Sequence, residues 1–570
     1  MNVQALYERW MAQDLEDLDL KPELLQIEGD KDQIFDRFYR ELDFGTAGLR
    51  GVLGAGTNRM NIYTVRKATQ GLADYLNESE KAPSVAIAYD SRIKSDLFAK
   101  EAACVLAANG IKTFIYAELM PTPALSFAVR ELKTTAGIVV TASHNPAKYN
   151  GYKVYGSDGC QIGPEVASAV LGKIGKVDIF DGVKTICLED ALQKGLVEYI
   201  PEEVIQRFLN CVLAQQVNPG ICKDAGLKVV YTPLNGAGRR CVTTVLEKMG
   251  VTDVTVVPEQ EYPDGHFPTC PFPNPEIQEA LELGLKLCEA TGADLLLATD
   301  PDCDRVGIAV KAADGYKLLT GNEVGVLLLN YIASCRLQNG TMPQNPVVVK
   351  SIVTTPMVHA VAKDYGVEVV DVLTGFKFIG EYIYSLEQKG EEERYLLGFE
   401  ESYGYLSGSY VRDKDAVNGS MLIVEMMAYY KTRGKALAEV LEGLYRKYGI
   451  YRSIVNNFVF EGADGMKKMA DMMESLRQNP ISELGGFRVV STGDYQRSTR
   501  VQEGKTSEIL LPKSNVLEYE LENKTTVIVR PSGTEPKIKV YYSIVGKDET
   551  QVKEVFDAVS VDVNRTLGVS

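Results

Sequence analysis

Short apolar runs alternate with helical periodicity along most of the chain. From residue 85 onwards, apolar runs at 85–90, 111–116 and 136–141 are separated by two amphipathic stretches. The same order of elements returns at residues 227–300 and again at residues 346–401. This alternation is typical of parallel strands connected by helices. The sequence therefore predicts three consecutive α/β units.

The pattern changes in the last part of the chain. Two helices are predicted at about 416–432 and about 435–448 from their apolar periodicity. A strand, a Met-rich helix, several short strands between residues 487 and 545, and a final helix follow. The expected fold class is α/β, with three consecutive mixed or parallel α/β domains plus a C-terminal α+β domain around a central cleft. The predicted domains are 1–205, 206–320, 321–453 and 454–570.

Composition and charge restrict the class of protein. The chain has 570 residues, of which 45% are apolar and 24% charged, and it lacks the run of about 18 apolar residues that a membrane helix needs. With 61 basic and 77 acidic residues the net charge is −16, a poor match for nucleic acid or an anionic membrane. The N-terminal segment lacks signal-peptide features, and the ten cysteines show no C-x-x-C spacing. We therefore expect a cytoplasmic protein with reduced thiols that holds any anionic ligand in a local pocket.

Polar loops follow several of the predicted strands, and ligands of open parallel sheets bind at such strand ends. The first loop, residues 141–146, places Ser143 beside His144, one of only three histidines in the chain. A serine at a strand-to-loop corner can act as a nucleophile or carry a covalent phosphoryl group. A polar turn closed by Pro146 is the alternative interpretation.

The second loop follows an apolar run and carries three carboxylates at alternate positions. These are Asp300, Asp302 and Asp304, and Arg305 comes next. Carboxylates converging in this way suit Mg²⁺, and without a cation such close like charges repel each other. A solvated acidic turn is the alternative.

The third loop contains Glu400, Glu401 and Ser402 at the end of another apolar run. Ionised carboxylates accept several hydrogen bonds, which suits the neighbouring hydroxyl groups of a sugar. Exposed glutamates with no ligand are the alternative.

The fourth loop spans residues 530–537. Its candidate phosphate-binding groups are Arg530, Ser532, Gly533 and Thr534. An arginine, two hydroxyls and a glycine that lets the backbone approach form a plausible phosphate cradle. A hairpin turn with incidental charges is the alternative.

In this order, the four loops resemble the four signature loops of the α-D-phosphohexomutases. Residues 43–51, 231–236 and 273–276 resemble the branch that contains bacterial phosphoglucomutases and phosphopentomutase-like enzymes. The resemblance runs over essentially the whole chain. It implies an isomerase that interconverts α-D-glucose 1-phosphate and glucose 6-phosphate through a phosphoserine enzyme and glucose 1,6-bisphosphate, with one Mg²⁺ per active site. The corresponding mannose and pentose phosphates are alternative substrates.

The resemblance also implies roles for individual residues. Ser143 is the expected phosphoserine and, with the three aspartates, a ligand of Mg²⁺. The residues expected at the reacting centre, including the acid/base candidates, are Arg50, His144, Lys153 and Arg305. The residues expected to bind the sugar are Glu400, Glu401 and Ser402. The residues expected to grip the non-reacting phosphate are Arg530, Ser532, Gly533 and Thr534.

Two departures from the family pattern stand in these loops. Pro301 and Cys303 occupy positions where many family members have glycine or another small residue, which affects loop stiffness but leaves the carboxylates in place. Phe399 and Tyr403 make the sugar loop bulkier than in some branches, which bears on the identity of the sugar.

Two other classes of function compete with a mutase. Asp300 and Asp302 after an apolar strand also resemble the nucleophile motif of haloacid-dehalogenase-type phosphatases, which need no serine. A sugar-phosphate sensor with the fold but without the chemistry is the second rival. The expected partners are small sugar phosphates, without nucleic acid or membrane. The preferred sugar, the oligomeric state and the identity of the acid/base remain open.

Overall fold

The computed structural model describes residues 2–45, 48–460, 465–532 and 537–569. Helices within these residues are α1 (Val3–Ala12), α2 (Leu20–Gln26), α3 (Lys31–Phe38), α4 (Ile62–Ser79), α5 (Ser95–Ala108), α6 (Thr122–Glu131), α7 (Pro164–Ile174), α8 (Leu188–Gln193), α9 (Glu202–Leu213), α10 (Gly238–Lys248), α11 (Gln278–Thr291), α12 (Gly321–Asn339), α13 (Met357–Asp364), α14 (Phe376–Glu387), α15 (Ala416–Lys431), α16 (Leu437–Tyr448), α17 (Gly465–Gln478) and α18 (Glu549–Leu567).

Strands within the same residues are β1 (Gly48–Val52), β2 (Ser84–Tyr89), β3 (Lys112–Ile115), β4 (Ala136–Val140), β5 (Tyr149–Gly156), β6 (Val197–Tyr199), β7 (Lys228–Thr232), β8 (Asp253–Val256), β9 (Leu295–Thr299), β10 (Val306–Ala312), β11 (Gly315–Leu319), β12 (Val347–Ser351), β13 (Glu368–Val372), β14 (Tyr395–Glu400), β15 (Gly404–Leu406), β16 (Ile450–Val459), β17 (Glu483–Leu484), β18 (Phe487–Asp494), β19 (Thr499–Gln502), β20 (Lys505–Glu508), β21 (Leu517–Leu521), β22 (Thr526–Pro531) and β23 (Lys537–Gly546). Together these elements form two compact units. Unit 1 comprises Met1–Leu319, Gly380–Glu392 and Tyr403–Gly434, and unit 2 comprises Thr320–Ile379, Glu393–Ser402 and Lys435–Ser570.

Unit 1 contains two mixed sheets. The first has the strand order β1-β5-β4-β2-β3-β6, and the second has the order β11-β10-β9-β7-β8. In each, the central strands are parallel and an antiparallel strand, β5 or β10, returns beside β4 or β9. Strands β4 and β9 are buried along their whole length, as expected for parallel strands covered by helices on both faces. The ends of these two strands therefore bring polar loops out of an apolar core.

The N-terminal helices of unit 1 pack onto α4 through an aromatic cluster. Trp10, the only tryptophan, is fully buried and makes edge contacts with Phe38, Tyr63 and Phe180. Edge-to-face aromatic pairs add roughly 0.5–1.5 kcal/mol each beyond the area they bury. These contacts explain why the N-terminal segment of about forty residues, which is amphipathic and acidic, packs against the α/β core.

Unit 2 contains a parallel sheet, β13-β12-β14, and a larger antiparallel sheet with the order β16-β23-β22-β21-β18-β19-β20. One face of the antiparallel sheet packs against α17 and α18, where Met473 and Val559 meet Tyr519 and Val540. The alternation of buried and partly exposed residues along β21 follows from this one-sided packing.

The predicted α/β fold class is confirmed, as are the helices predicted near residues 416–432 and 435–448, which are α15 and α16. The four domain boundaries remain predictions. Among the described residues, no helix is long and apolar enough to cross a membrane.

Candidate active site

The serine loop begins where β4 ends in unit 1. Ser143 is almost completely buried and has a φ of 52°, the left-handed region that residues other than glycine seldom adopt. Its N–H donates to Thr141 Oγ1 at 2.8 Å. Its hydroxyl donates to Asp300 Oδ2 at 2.7 Å, across 157 positions in the sequence. The fold thus joins the first two predicted loops through one short hydrogen bond.

His144 adds a neutral ring beside this hydroxyl. Its Nδ1 lies 3.1 Å from Ser143 Oγ. Burial, followed by the positive charges of Arg305 and Arg50, lowers the pKa of His144 well below its ordinary value. The imidazole is therefore uncharged at neutral pH, and its Nδ1 is placed to exchange a proton with the serine oxygen.

The three aspartates after β9 form one buried cluster. Asp300 and Asp302 are 0% exposed and Asp304 is 2% exposed, and one carboxylate oxygen of each lies within 4.8 Å of the other two. The backbone N–H groups of Asp304 and Arg305 donate to Asp300 Oδ1, which fixes its carboxylate. Burial, together with the charges of Asp302 and Asp304, raises the pKa of Asp300. The cluster therefore concentrates negative charge at a desolvated point.

This donor set fits a divalent metal ion. Among the described residues, Asp302 Oδ1 and Asp304 Oδ1 are buried and accept no hydrogen bond. Buried carboxylate oxygens without a partner are costly, and hard oxygen donors of this kind are the ligands that Mg²⁺ and Ca²⁺ take. A cation bound here would satisfy both oxygens.

Positively charged side chains surround the cluster within unit 1. Lys153 Nζ lies 3.0 Å from Asp302 Oδ2, and Lys153 stands on β5. Arg305 Nη1 pairs with Glu276 at 2.6 Å, and Arg305 Nε lies 3.7 Å from Asp304 Oδ1. Arg50 lies on β1, which pairs with β5 so that Arg50 faces Gly151. Unit 1 thus contains all the residues predicted for the reacting centre and the metal cluster, and it brings Ser143, His144, Lys153 and Arg305 close to the aspartates or to one another.

The sugar loop belongs to unit 2 and is held from two sides. Glu400 is buried and its Oε1 accepts the Gly375 N–H at 2.7 Å. Glu401 Oε2 accepts hydrogen bonds from Ser351 Oγ at 3.2 Å and from Thr354 Oγ1 at 3.1 Å. Ser402 is half-buried at the end of the loop. Glu401 is therefore bound to the loop that follows β12.

The phosphate loop leaves β22, also in unit 2. Arg530 is half-buried near the end of this strand, and the Ser532 N–H donates to the Lys537 carbonyl at 2.7 Å. Burial raises the pKa of Tyr541 to about 12, with opposing effects from the charges of Glu401 and Arg530. The sugar and phosphate loops thus both lie near this phenol. The predicted residues Gly533 and Thr534 lie outside the described residues.

Comparison with known sequences assigns the chain to a family. Domains I, II and III and the C-terminal domain of the phosphoglucomutase/phosphomannomutase family match residues 41–179, 206–315, 320–448 and 494–560, respectively. The chain belongs to the phosphoglucomutase/phosphomannomutase family. It is therefore a phosphohexomutase, an enzyme of the isomerase type, as the order of its loops predicts.

Individual relatives support this assignment over nearly the full length. A phosphoglucomutase from Staphylococcus saprophyticus is 37% identical over 521 residues, which are 91% of this chain and 93% of the relative. A phosphoglucomutase from Staphylococcus aureus strain USA300 is 38% identical over 516 residues, covering 89% of this chain and 90% of the relative. A crystal structure of a phosphoglucomutase/phosphomannomutase family protein from Burkholderia thailandensis shares the fold, with 18% identity, a TM-score of 0.67 and coverage of 92% of this chain and 97% of that one.

Two polar residues of this phosphohexomutase that contact the aspartate cluster are absent from the sequence prediction. Lys414 Nζ lies 3.1 Å from Asp304 Oδ2, and Thr122 Oγ1 donates to Asp302 Oδ2 at 2.9 Å. Lys414 belongs to the run of alternating charges at residues 412–415, directly before the apolar helix α15. A run of charged residues directly before a buried helix indicates buried charges, so Lys414 could have been found from the sequence. No sequence feature near Thr122 indicates its contact with Asp302.

Two of the unusual residues in the signature loops, Cys303 and Phe399, have structural explanations. Cys303 has a φ of 51°, so this position adopts a backbone conformation that favours glycine. Phe399 is fully buried, and a Cβ added to Gly325 of α12 would collide with its ring. The bulk of Phe399 therefore fills the core of unit 2.

Proposed function

We propose that this phosphohexomutase interconverts α-D-glucose 1-phosphate and glucose 6-phosphate, and that Ser143 carries the transferred phosphoryl group. The observation that carries the proposal is the 2.7 Å hydrogen bond from Ser143 Oγ to Asp300 inside the aspartate cluster. The choice of glucose is supported by the phosphoglucomutases that are 37–38% identical over most of their length.

Asp300, Asp302 and Asp304, with an oxygen of phosphorylated Ser143, would hold one Mg²⁺. When bound, the ion would supply positive charge to the phosphoryl oxygens, where negative charge is concentrated in phosphoryl transfer. Lys153, 3.0 Å from Asp302, and Arg305, 3.7 Å from Asp304, add fixed positive charge at the same place.

Each half-reaction exchanges one oxygen–phosphorus bond for another. The bond from Ser143 Oγ to phosphorus breaks as a sugar hydroxyl oxygen bonds to that phosphorus, giving glucose 1,6-bisphosphate. The sugar then turns around, and its other phosphate returns to Ser143. In the first half-reaction the attacking sugar hydroxyl loses its proton and the released Ser143 Oγ takes one up, and in the second half-reaction Ser143 Oγ loses its proton and the released sugar oxygen takes one up. The neutral imidazole of His144, at 3.1 Å, is suited to exchange the proton of Ser143 Oγ. Lys153 and Arg50 are the other acid/base candidates.

Recognition of the rest of the substrate is assigned to unit 2. Glu400, Glu401 and Ser402 are proposed to bind sugar hydroxyls in both orientations of the bisphosphate. The groups proposed to hold the non-reacting phosphate are Arg530, Ser532, Gly533 and Thr534. A half-buried arginine suits this task because its planar guanidinium binds phosphate through paired hydrogen bonds.

The test is a coupled assay for glucose 6-phosphate with a catalytic amount of glucose 1,6-bisphosphate, run beside mannose 1-phosphate and ribose 1-phosphate. We expect the highest kcat/KM with glucose 1-phosphate and a phosphorylated peptide that contains Ser143. Preference for mannose or ribose phosphate would reassign the substrate.

The Ser143→Ala variant separates a mutase from a phosphatase. It should lose nearly all turnover and all covalent phosphate, because no other group accepts the phosphoryl in this scheme. If this variant keeps its turnover while Asp300→Asn abolishes a hydrolytic activity, and the covalent phosphate is labile to hydroxylamine, the enzyme is an aspartyl phosphatase.

A further inference from the structure

A buried arginine outside the signature loops binds the backbone of the serine loop. Arg92 follows β2, and its side chain is 0% exposed. Its Nε and Nη2 donate to the Ser143 carbonyl at 3.2 and 2.5 Å, and its Nη1 donates at 3.0 Å to the carbonyls of both Pro146 and Tyr149. Nη2 also donates to the Asn145 carbonyl. One guanidinium thus holds four carbonyl groups of a single loop.

Burying a guanidinium for this purpose is costly, and the surroundings of Arg92 are arranged to keep it in place. The nearest carboxylate, Asp90, lies 3.5 Å from Nε and is itself held by the Arg92 N–H and by Ser95 Oγ. The guanidinium also faces the Phe267 ring, 5.1 Å from its centroid. The planar guanidinium carries five N–H donors in a fixed geometry and can bind several carbonyls of one loop at once. The single ammonium of a lysine cannot bind all four of these carbonyls.

The loop needs this support because Ser143 has an unfavourable backbone conformation. A left-handed φ costs a residue other than glycine about 1–2 kcal/mol, and surrounding contacts have to maintain it. Arg92 binds the carbonyl of Ser143, and Thr141 Oγ1 binds its N–H. Both peptide groups of the strained residue are therefore held, and its Oγ faces Asp300.

We propose that Arg92 is a positioning residue that holds Ser143 in the left-handed conformation required for phosphoryl transfer. This inference rests on the proposed role of Ser143 as the phosphoryl carrier. Arg92 contacts a backbone carbonyl of the serine, so it acts through the direction of Oγ. Displacement of a reacting group by about 1 Å can cost on the order of 100-fold in rate.

The first experiment compares the kinetics of Arg92→Lys and Arg92→Ala with those of the wild-type enzyme, all as full-length chains. Because a misplaced reacting group costs on the order of 100-fold in rate, we expect kcat to fall by about 100-fold. The KM for glucose 1-phosphate should stay within about threefold of the wild-type value. Transfer of phosphate from glucose 1,6-bisphosphate to dephosphorylated Ser143 should slow by the same factor in a single turnover. Arg412→Lys is the matched control, because Arg412 is also fully buried and binds carbonyls of unit 1, at Ser409 and Val411.

Chemical rescue distinguishes positioning from a purely structural role. Millimolar guanidinium should raise the kcat of Arg92→Ala several-fold, whereas the same concentration of urea or tetramethylammonium should not. The Arg412→Lys control should lose thermal stability and keep its kcat within about threefold, since it does not touch the serine loop. Absence of rescue together with parallel losses of kcat in both arginine variants would show a structural role and overturn the proposal.

The outcomes also separate this proposal from the assignment of Ser143. If Ser143→Ala keeps its turnover, the proposed function fails. If Ser143→Ala is inactive while folded Arg92→Lys has wild-type kcat, only the positioning role of Arg92 is overturned. If neither Arg92 variant folds, Thr141→Val replaces them. This substitution removes the hydrogen bond that the Ser143 N–H donates to Thr141 Oγ1. The proposal then expects about a tenfold lower kcat for the loss of one hydrogen bond, and a kcat within twofold of wild type overturns it.

Discussion

The serine and aspartate cluster in unit 1 and most of the recognition residues in unit 2 differ in burial, although Glu400 in unit 2 is also buried. Ser143 and the three aspartates are at most 4% exposed, whereas Ser402, Arg530 and Ser532 are only half-buried. Charges act more strongly on one another where water is excluded, and groups fixed in advance need no reorganisation during the reaction. Under the proposed function, this difference suits unit 1 to the chemical step and unit 2 to binding a substrate that has to enter, turn and leave.

The two regions also differ in how their charges are satisfied. Asp302 and Asp304 each have a lysine within 3.1 Å and still carry a buried oxygen without a hydrogen bond, which fits an additional cation. The carboxylates of Glu400 and Glu401 instead accept hydrogen bonds from neutral groups of their own unit. Substitutions in unit 1 should therefore lower kcat and metal affinity, whereas substitutions in unit 2 should mainly raise KM.

Asp302→Asn should have the largest effect. It removes one negative charge from the cluster. Loss of a residue that only contacts a metal ligand already weakens metal binding by about 10–100-fold. For a proposed ligand we therefore expect at least about 100-fold weaker binding of Mg²⁺ and a comparable loss of kcat. Calorimetric titration with Mg²⁺ measures the affinity independently of turnover.

The matched control for Asp302 is Asp413→Asn, a buried carboxylate of unit 1 that is bound by Tyr155 and Lys414 and lies outside the cluster. It should bind Mg²⁺ within about tenfold of wild type, the lower end of what an outer contact costs. Equal losses in both variants would mean that the three aspartates are not the metal site.

Arg530→Gln should show the opposite kinetic signature. Hydrogen bonds to charged groups contribute about 1.5–3 kcal/mol, so KM for glucose 1-phosphate should rise by about 10–150-fold while kcat changes little. Arg497→Gln is the control, since Arg497 is an exposed arginine of the same unit that pairs with Glu474. A collapse of kcat at unchanged KM in Arg530→Gln would contradict the division of labour between the units.

The sequence was sufficient to predict the α/β elements and to single out candidate reacting residues, because both depend on local patterns. Buried strands that end in polar loops are visible as apolar runs; Asp300 follows one directly, and Ser143 lies three residues beyond the end of another. Arg92 and Lys414 contact the same region from loops that are 51 and 110 residues away from their partners Ser143 and Asp304. Their roles depend on how strands are ordered within a sheet and on which loops are thereby brought together, which residue spacing does not encode.

Glu401→Gln should have a smaller effect than Arg530→Gln, because Glu401 is bound within its own unit by Ser351 and Thr354. Loss of a hydrogen bond worth about 0.5–1.5 kcal/mol predicts a rise in KM of roughly 3- to 10-fold. Thr354→Val removes the same contact from the other side, so the double variant should show little further loss. Additive effects of the two substitutions would show that the contact with Thr354 does not orient Glu401.

The smallest effect is expected for Cys303→Gly, between two of the aspartates. The left-handed backbone at Cys303 favours glycine by about 1 kcal/mol, which offsets the loss of a buried thiol, so stability should change by less than about 1 kcal/mol. Mg²⁺ affinity should stay within about twofold, because the three carboxylates and their backbone are retained.

The control is Cys241→Gly, in helix α10. This substitution removes an equally buried thiol without relieving strain and adds the cost of a helical glycine, about 1 kcal/mol or more. Thermal unfolding should rank Cys241→Gly well below Cys303→Gly, and equal losses would mean that the loop between the aspartates holds no strain at Cys303.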